Sequence, residues 1–339
     1  NSSEATFINL RAYLLALACY LFVRENLSSL STTFLFTLIK YFLLCNGLLV
    51  VLQFITGGFY PAVYLAAGDP PLLIPSGFFD GPTKNGMLIS FALSFIFAKF
   101  LWAQTRASYL DIVIFSVGIV SLVLSTSRAG IFSFCIVMLM GGIFAVVKRK
   151  RFRLNLKNIS LIIFIFVISI SAIYFAGFSL ETLTEIRDPD IGNYASNVLI
   201  YKLTVTEGPS ILQRYDTAHN ALKMIVNSPL NLFSVGFGAG SYETLNEGFN
   251  IHDSYLEILN ETGLYGFLAF LFLVIHVIRK AISRRDAVEI LPVLLALMSG
   301  MTFMAFHDVL RGRTIWIPLA MLASFAYDKK HQERSALEL

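Results

Sequence analysis

The sequence predicts an all-α polytopic membrane protein: a bundle of transmembrane helices carrying one large extramembrane loop. Three observations predict it. Of 339 residues, 56% are hydrophobic and only 14% charged, where a soluble domain is about one quarter charged. Apolar runs of the ~20 residues that a bilayer core requires recur along most of the chain. The basic residues gather in a few short connections, as they do on the cytoplasmic side of membrane proteins. The formal net charge of +4 is too small to indicate a nucleic-acid partner. Cys19, Cys45 and Cys135 lie in apolar runs without a Cys or His at metal spacing, so they read as packing residues rather than as metal ligands or a disulfide framework.

Nine spans follow from the apolar pattern, at 6–23, 33–56, 86–102, 110–125, 130–147, 159–178, 255–278, 287–306 and 314–327. Lys148-Arg-Lys-Arg-Phe-Arg153 with Lys157 holds six basic residues and no acidic one. Arg279, Lys280, Arg284 and Arg285 form a second basic connection, and Lys329, Lys330 and Arg334 a third. A single alternating topology places all three inside, which puts the connection between the sixth and seventh spans outside. Its nine acidic residues against four basic ones agree. The chain therefore divides into helices over 1–178 (about six spans), an outer loop with amphipathic helices over 179–254, and about three further spans with a cytoplasmic tail over 255–339. The first span begins outside at Asn1 with no initiator methionine or cleavage motif ahead of it, so further spans are expected upstream.

Polar residues gather at four places on the outer side, where ionisable groups are costly and point to function. In Ser125-Thr-Ser-Arg-Ala-Gly130, Arg128 stands between two spans with Ser127 beside it. Arginine can fork two hydrogen bonds to a phosphate or carboxylate, though one alone at a helix end most often snorkels or caps. Arg214 and Tyr215 follow Ser210 in a stretch with helical apolar spacing at Ala218, Ala221, Met224 and Ile225, an amphipathic helix over the bundle. The plainer reading pairs Arg214 with Asp216 or Glu207 on a solvated face. His252 opens the seventh span, with Asp253 or Ser254 as cap, and a neutral imidazole there can take a proton from an attacking hydroxyl. His219, His276, His307 and His331 read as structural residues. The Pro75–Gly86 turn carries Asp80 and Lys84, and Gly236-Phe-Gly-Ala-Gly240 reads as a flexible outer turn, not a dinucleotide loop, because no βαβ unit surrounds it. Lys40 and His276 fall within spans and are assigned to packing or snorkelling.

In order and topology, Ser127-Arg128-Ala-Gly130, Arg214 in the outer loop, and His252-Asp253 followed by Gly263 and Gly266 resemble the bacterial O-antigen ligase and polymerase superfamily. Weaker family-like features are Gly77-Phe-Phe-Asp-Gly-Pro-Thr-Lys-Asn85, Asn227-Ser-Pro-Leu and Gly236-Phe-Gly-Ala-Gly-Ser-Tyr242. The resemblance spans about 77–270. In the family the residue directly after the histidine is usually Asn, Ser or Gln, and Asp253 departs from it. A carboxylate beside the imidazole raises the histidine's pKa, or else orients the ring as the acid does in a hydrolase triad.

The resemblance implies a helical bundle of the GT-C type and an inverting glycosyltransferase that needs no metal or other cofactor. Its donor would be an undecaprenyl-diphosphate-linked glycan, and its acceptor a lipid A-core sugar hydroxyl for a ligase or another lipid-linked glycan for a polymerase. Membrane lipid is the surrounding partner, and the location is the bacterial inner membrane with the site facing the periplasm. His252 would be the base, and Arg128 and Arg214 would stabilise the leaving diphosphate. Ser127, Lys84 and Tyr215 would contact the lipid-linked glycan, and Asp253, Gly263 and Gly266 would support the site. The His-x10-Gly-x2-Gly spacing favours ligase over polymerase. A transporter would carry its polar groups near the midplane on broken helices, and a non-enzymatic scaffold would need no such groups.

Overall fold

The computed structural model describes residues 14–15, 17–25, 32–56, 63–66, 72–79, 81–101, 108–125, 127–147, 208–242, 251–284, 287–307 and 315–327. The expected sixth span, the start of the first, the basic stretch at 148–157, Asp80, the tail from 328, and residues 179–207 and 243–250 of the expected outer loop lie outside the described residues. After a helical stretch at 17–25, the elements are α1 (Thr32–Thr56), β1 (Val63–Ala66), β2 (Leu72–Pro75), α2 (Pro82–Leu101), α3 (Tyr109–Leu124), α4 (Arg128–Val147), α5 (Gly208–Asn227), α6 (Pro229–Leu232), α7 (Ser254–Arg284), α8 (Ala287–Met304) and α9 (Trp316–Tyr327). The protein is a helical membrane protein. Phe34–Phe54, Pro82–Leu101 and Ser254–Ser283 are long and apolar enough to cross a bilayer, and Tyr109–Leu124, Arg128–Phe144 and Ile290–Met304 are shorter apolar helices. Seven of the nine expected spans coincide with α1, α2, α3, α4, α7, α8 and α9. Among the described residues an antiparallel strand pair, β1 with β2, adds to the helical pattern and sets Val63 against Pro75 and Ala66 against Leu72. Its two apolar runs, of four residues each, are too short for a helix.

The chain forms two compact units, Thr32–Gly208 and Asn1–Ser31 with Pro209–Leu339. In the first, α1 lies along α3 and α2 along α4. Glycines permit the close approach: Gly118 sits against Leu43 and Leu93, and Gly47 against Val117, as is usual where helices pack without a hydrophobic driving force between them. Phe97, Phe115 and Phe134 fill the interior, Phe115 and Phe134 with centroids 5.9 Å apart. Lys40, read from sequence as a packing or snorkelling residue, is ion-paired. It pairs with Asp111 of α3, which Lys99 of α2 also reaches at 2.8 Å. A charge at membrane depth is tolerable when paired in this way. Asp111 also closes a capping box with Ser108, donor to acceptor 3.1 Å in both directions.

In the second unit α7, α8 and α9 pack together. Val274, Val277, Ile290, Val293, Leu297, Leu319 and Leu322 are buried, and Trp316 receives Phe270 and Tyr20 edge-on at 6.4 and 6.3 Å. His276 is exposed on α7 and stacks on Phe272.

Candidate functional site

The first unit carries Lys84, Ser127 and Arg128 at one end. Chain reversal there is built from hydroxyls. Ser125 ends α3 with Oγ donating to the Leu122 carbonyl at 2.8 Å. The buried Ser127 opens α4, its carbonyl accepting from Ile131 N–H at 3.0 Å and its Oγ from Gly130 N–H at 3.3 Å. Such a cap satisfies donors that the first helical turn leaves open. Gly86 of α2 is packed so tightly on Ser127 that a methyl group there would overlap the serine side chain, and a Cβ on Gly130 would come 2.8 Å from the Gly86 carbonyl. This contact fixes the start of α4 against the start of α2. Arg128, one residue past Ser127, and Lys84, two residues before Gly86, are both exposed at that end.

The turn before α2 is held rigidly rather than being a bare connection. Gln53 Oε1 accepts from the N–H groups of Ser76 (3.0 Å) and Gly77 (2.8 Å), while its Nε2 donates to the Gly77 carbonyl at 3.1 Å. Asn46 accepts from Phe78 N–H at 3.0 Å and donates to Asn85 at 2.8 Å. Asn46, Gln53, Ser76 and Asn85 are fully or nearly fully buried. Gly77 has φ 61°, and a Cβ there would run into Asn46.

The second unit carries Arg214, Tyr215, His252, Asp253, Gly263 and Gly266. The expected amphipathic helix is α5. It buries Thr217, Ala221 and Ile225, and Ala221 packs with Tyr242, Ile251, Met224 and Leu256. Tyr242 Oη donates to the Thr217 carbonyl at 2.8 Å, and burial pushes its phenol pKa up. Arg214 lies on α5 with its side chain outside the described residues, and the exposed Tyr215 stacks on His219 at 5.9 Å.

His252 and Asp253 precede the first turn of α7. Asp253 is the cap: Oδ1 accepts from the N–H groups of Tyr255 and Leu256 at 2.9 and 3.0 Å, and its carbonyl accepts from Glu257 N–H. Burial pushes its carboxyl pKa up, against the opposing pull of those two N–H groups. The side chain is thereby committed to the backbone at the start of α7.

His307, read from sequence as a bland structural residue, sits beside His252. The two rings meet edge to face with centroids 6.1 Å apart. His307 stacks on Phe303 at 5.1 Å, and its carbonyl accepts from Ser254 Oγ at 2.7 Å. Tyr255 Oη reaches the Met301 carbonyl at 2.8 Å, so the start of α7 is tied twice to the end of α8. The start of α7 and the end of α8 are thereby brought together, which no spacing in the sequence marks.

The glycines of the motif mark a break. Within α7, Gly263 has φ 67° and ψ −172°, non-helical values that divide the Ser254 end from the long membrane segment. The Gly236–Gly240 stretch is seated in that break and is not the flexible turn expected. Phe237 N–H donates to the Asn260 carbonyl at 2.9 Å, and Gly238 N–H to the Glu261 carbonyl at 3.0 Å. Gly240 N–H donates to the buried Glu261 carboxylate at 2.6 Å. Breaking a helix orphans its last carbonyls, and the loop supplies the missing donors. Contact is too close for side chains: a Cβ on Gly263 would come 2.5 Å from the Ser234 carbonyl, and one on Gly236 2.5 Å from that of Glu261. Gly266 lies one turn below, against Thr262, whose hydroxyl donates to the Ile258 carbonyl at 2.7 Å.

Residues 112–271 match the family described as O-antigen ligase. The match runs from α3 through α7 and includes Ser127, Arg128, Arg214, Tyr215, His252, Asp253, Gly263 and Gly266, with Lys84 outside it. No curated protein matches the chain. Residues 112–271, which carry the serine-capped arginine and the histidine held at the mouth of a glycine-broken helix, are thus similar to the O-antigen ligase family.

Proposed function

We propose that the protein transfers a glycan from undecaprenyl diphosphate to a lipid A-core sugar hydroxyl at the periplasmic face of the bacterial inner membrane, as an O-antigen ligase. The family match supports this reading, and so does the setting of His252, which is part-exposed at a helix mouth and braced by His307. In the proposed reaction the acceptor oxygen attacks the anomeric carbon while its proton passes to the neutral imidazole of His252. The bond from the anomeric carbon to the diphosphate oxygen breaks, with inversion, and the electron pair leaves on the diphosphate. Arg128 and Arg214 hold the charge that develops there, a task suited to forked guanidinium donors. Lys84, Tyr215 and Ser127 contact the lipid-linked glycan. Asp253, Gly263 and Gly266 keep the imidazole in place.

A polymerase would share these steps and differ in acceptor, a second lipid-linked repeat unit. Deletion strains separate the two. Long chains left unligated on the lipid carrier support the ligase, whereas lipopolysaccharide capped with a single repeat unit supports the polymerase. Full glycan transfer by H252A at normal protein level would refute the enzymatic assignment itself.

A further inference from the structure

Helix α5 has three faces where a simple amphipathic helix has two. Thr217, Ala221 and Ile225 are buried against the protein. Asp216, Asn220, Lys223 and Asn227 recur at the same three- and four-residue spacing and form an exposed polar stripe. A third stripe, Tyr215, His219, Leu222 and Val226, is also exposed, and three of its four members are large hydrophobic residues. Covering the protein takes one apolar face, so this second one is surplus to that task.

The surplus runs on past the end of α5. Leu230 in α6 is 84% exposed, and Phe233 and Val235 just after it are 61% and 80% exposed. Their segment is the one lodged in the break of α7: a Cβ on Gly263 would come 3.0 Å from the Leu232 carbonyl and 2.5 Å from that of Ser234. The break separates two kinds of helix. Before it, Glu257, Asn260 and Glu261 are buried within the protein. After it comes an apolar run of the ~20 residues that a bilayer core takes, whose exposed side carries Tyr265, Leu268, Phe272 and Ile275 at helical spacing. Tyr265 heads that side two residues past the break, and tyrosine collects where a helix enters the headgroup layer. The backbone of 232–236 is thus fixed at the level where α7 enters the bilayer, with Leu230, Phe233 and Val235 exposed beside it.

We propose that Leu222, Val226, Leu230, Phe233 and Val235 form an interfacial anchor that dips into the boundary between headgroups and acyl chains of the bilayer. The occupant of the patch is lipid, because the patch stands level with the start of the lipid-facing side of α7 and continues it. Burial of such an apolar face in that boundary is what holds an interfacial helix on a membrane, while the polar stripe with Asp216 and Lys223 stays in water. The anchor does not depend on the reaction proposed above. It sets the depth of the Gly236–Gly240 loop, and with it the depth at which the break in α7 is held.

Nitroxide accessibility in vesicles tests the proposal. The full chain, with Cys19, Cys45 and Cys135 changed to serine, takes one spin label at a time through K223C, L230C or F233C and is reconstituted into vesicles of phosphatidylcholine and phosphatidylglycerol. Collisions of each label with oxygen, which concentrates among acyl chains, are compared with collisions with a water-soluble nickel chelate. Labels at 230 and 233 are expected to show an oxygen-to-nickel ratio several-fold above that at 223. Equal ratios at the three positions overturn the proposal. Labels at 230 and 233 shielded from both reagents would show that protein covers the patch, and would refute the lipid assignment. V226C and V235C repeat the measurement on either side of α6, so that one variant with altered thermal unfolding does not decide the outcome.

Discussion

His252 owes its setting to neighbours that fix its backbone and one face of its ring. Asp253 is bonded to two backbone amides ahead of it, and His307 lies edge-on at 6.1 Å. His307 acts as a positioning residue for the proposed base. H307A is expected to lower kcat by about ten- to a hundredfold, the usual effect of a small misplacement, with little change in KM, as measured in glycan-transfer kinetics. H307A at full kcat would remove it from the site. Asp253 makes a pH prediction. Its carboxyl pKa is raised by burial, so the folded state holds that proton more tightly than the unfolded chain does. The resulting stabilisation is complete below the ordinary value of 3.8 and is lost as pH rises through the raised value. D253N keeps a capping oxygen without a titrating group. Thermal unfolding followed across the acid range should therefore show a smaller loss of stability with rising pH in D253N than in wild type. Sequence spacing was enough to single out His252 and Asp253. It could not single out His307, because an imidazole 55 positions away acquires meaning only when two helix ends are placed side by side.

At the level of elements, the break in α7 is the feature on which the motif glycines bear. A left-handed φ at Gly263 strains any residue with a Cβ, and the carbonyl of Ser234 leaves no room for one. G263A is expected to cost about 1–3 kcal/mol and to lower the midpoint of thermal unfolding in detergent. G238A is the contrasting change: its φ of 92° is strained, yet nothing lies within 4 Å of an added Cβ, so its effect should be the smaller of the two. The helices themselves were legible from composition, because a run of about 20 apolar residues has few other fates. The break was not. Gly263 is one residue inside a long helical pattern, and its conformation depends on donors from Phe237 and Gly238, which lie outside that pattern. For the same reason the Gly236–Gly240 stretch looked flexible from sequence: its partners are carbonyls that only a broken helix exposes.

Each compact unit of the molecule carries one share of the residues to which chemistry is assigned. The first unit presents Arg128 and Lys84 at the Ser127 reversal, and the second His252 and Arg214 with α5 and the mouth of α7. Charge was the most informative sequence quantity at this scale once it was sorted by position. The +4 excess resolves into basic stretches at 148–157, 279–285 and 329–334 and a net acidic segment at 179–254. Lys40 was the exception, since its partner Asp111 is 71 residues away and no pattern links the two. Transfer by the purified full chain decides the proposed chemistry, with an undecaprenyl-diphosphate-linked glycan as donor and lipid A-core as acceptor. Wild type is expected to form the linked product. H252A should lose about 10²–10⁴ in rate, and R128A and R214A about 10²–10³ each, with thermal unfolding unchanged in all three. Turnover by H252A equal to that of wild type would contradict the assignment of His252 as the base.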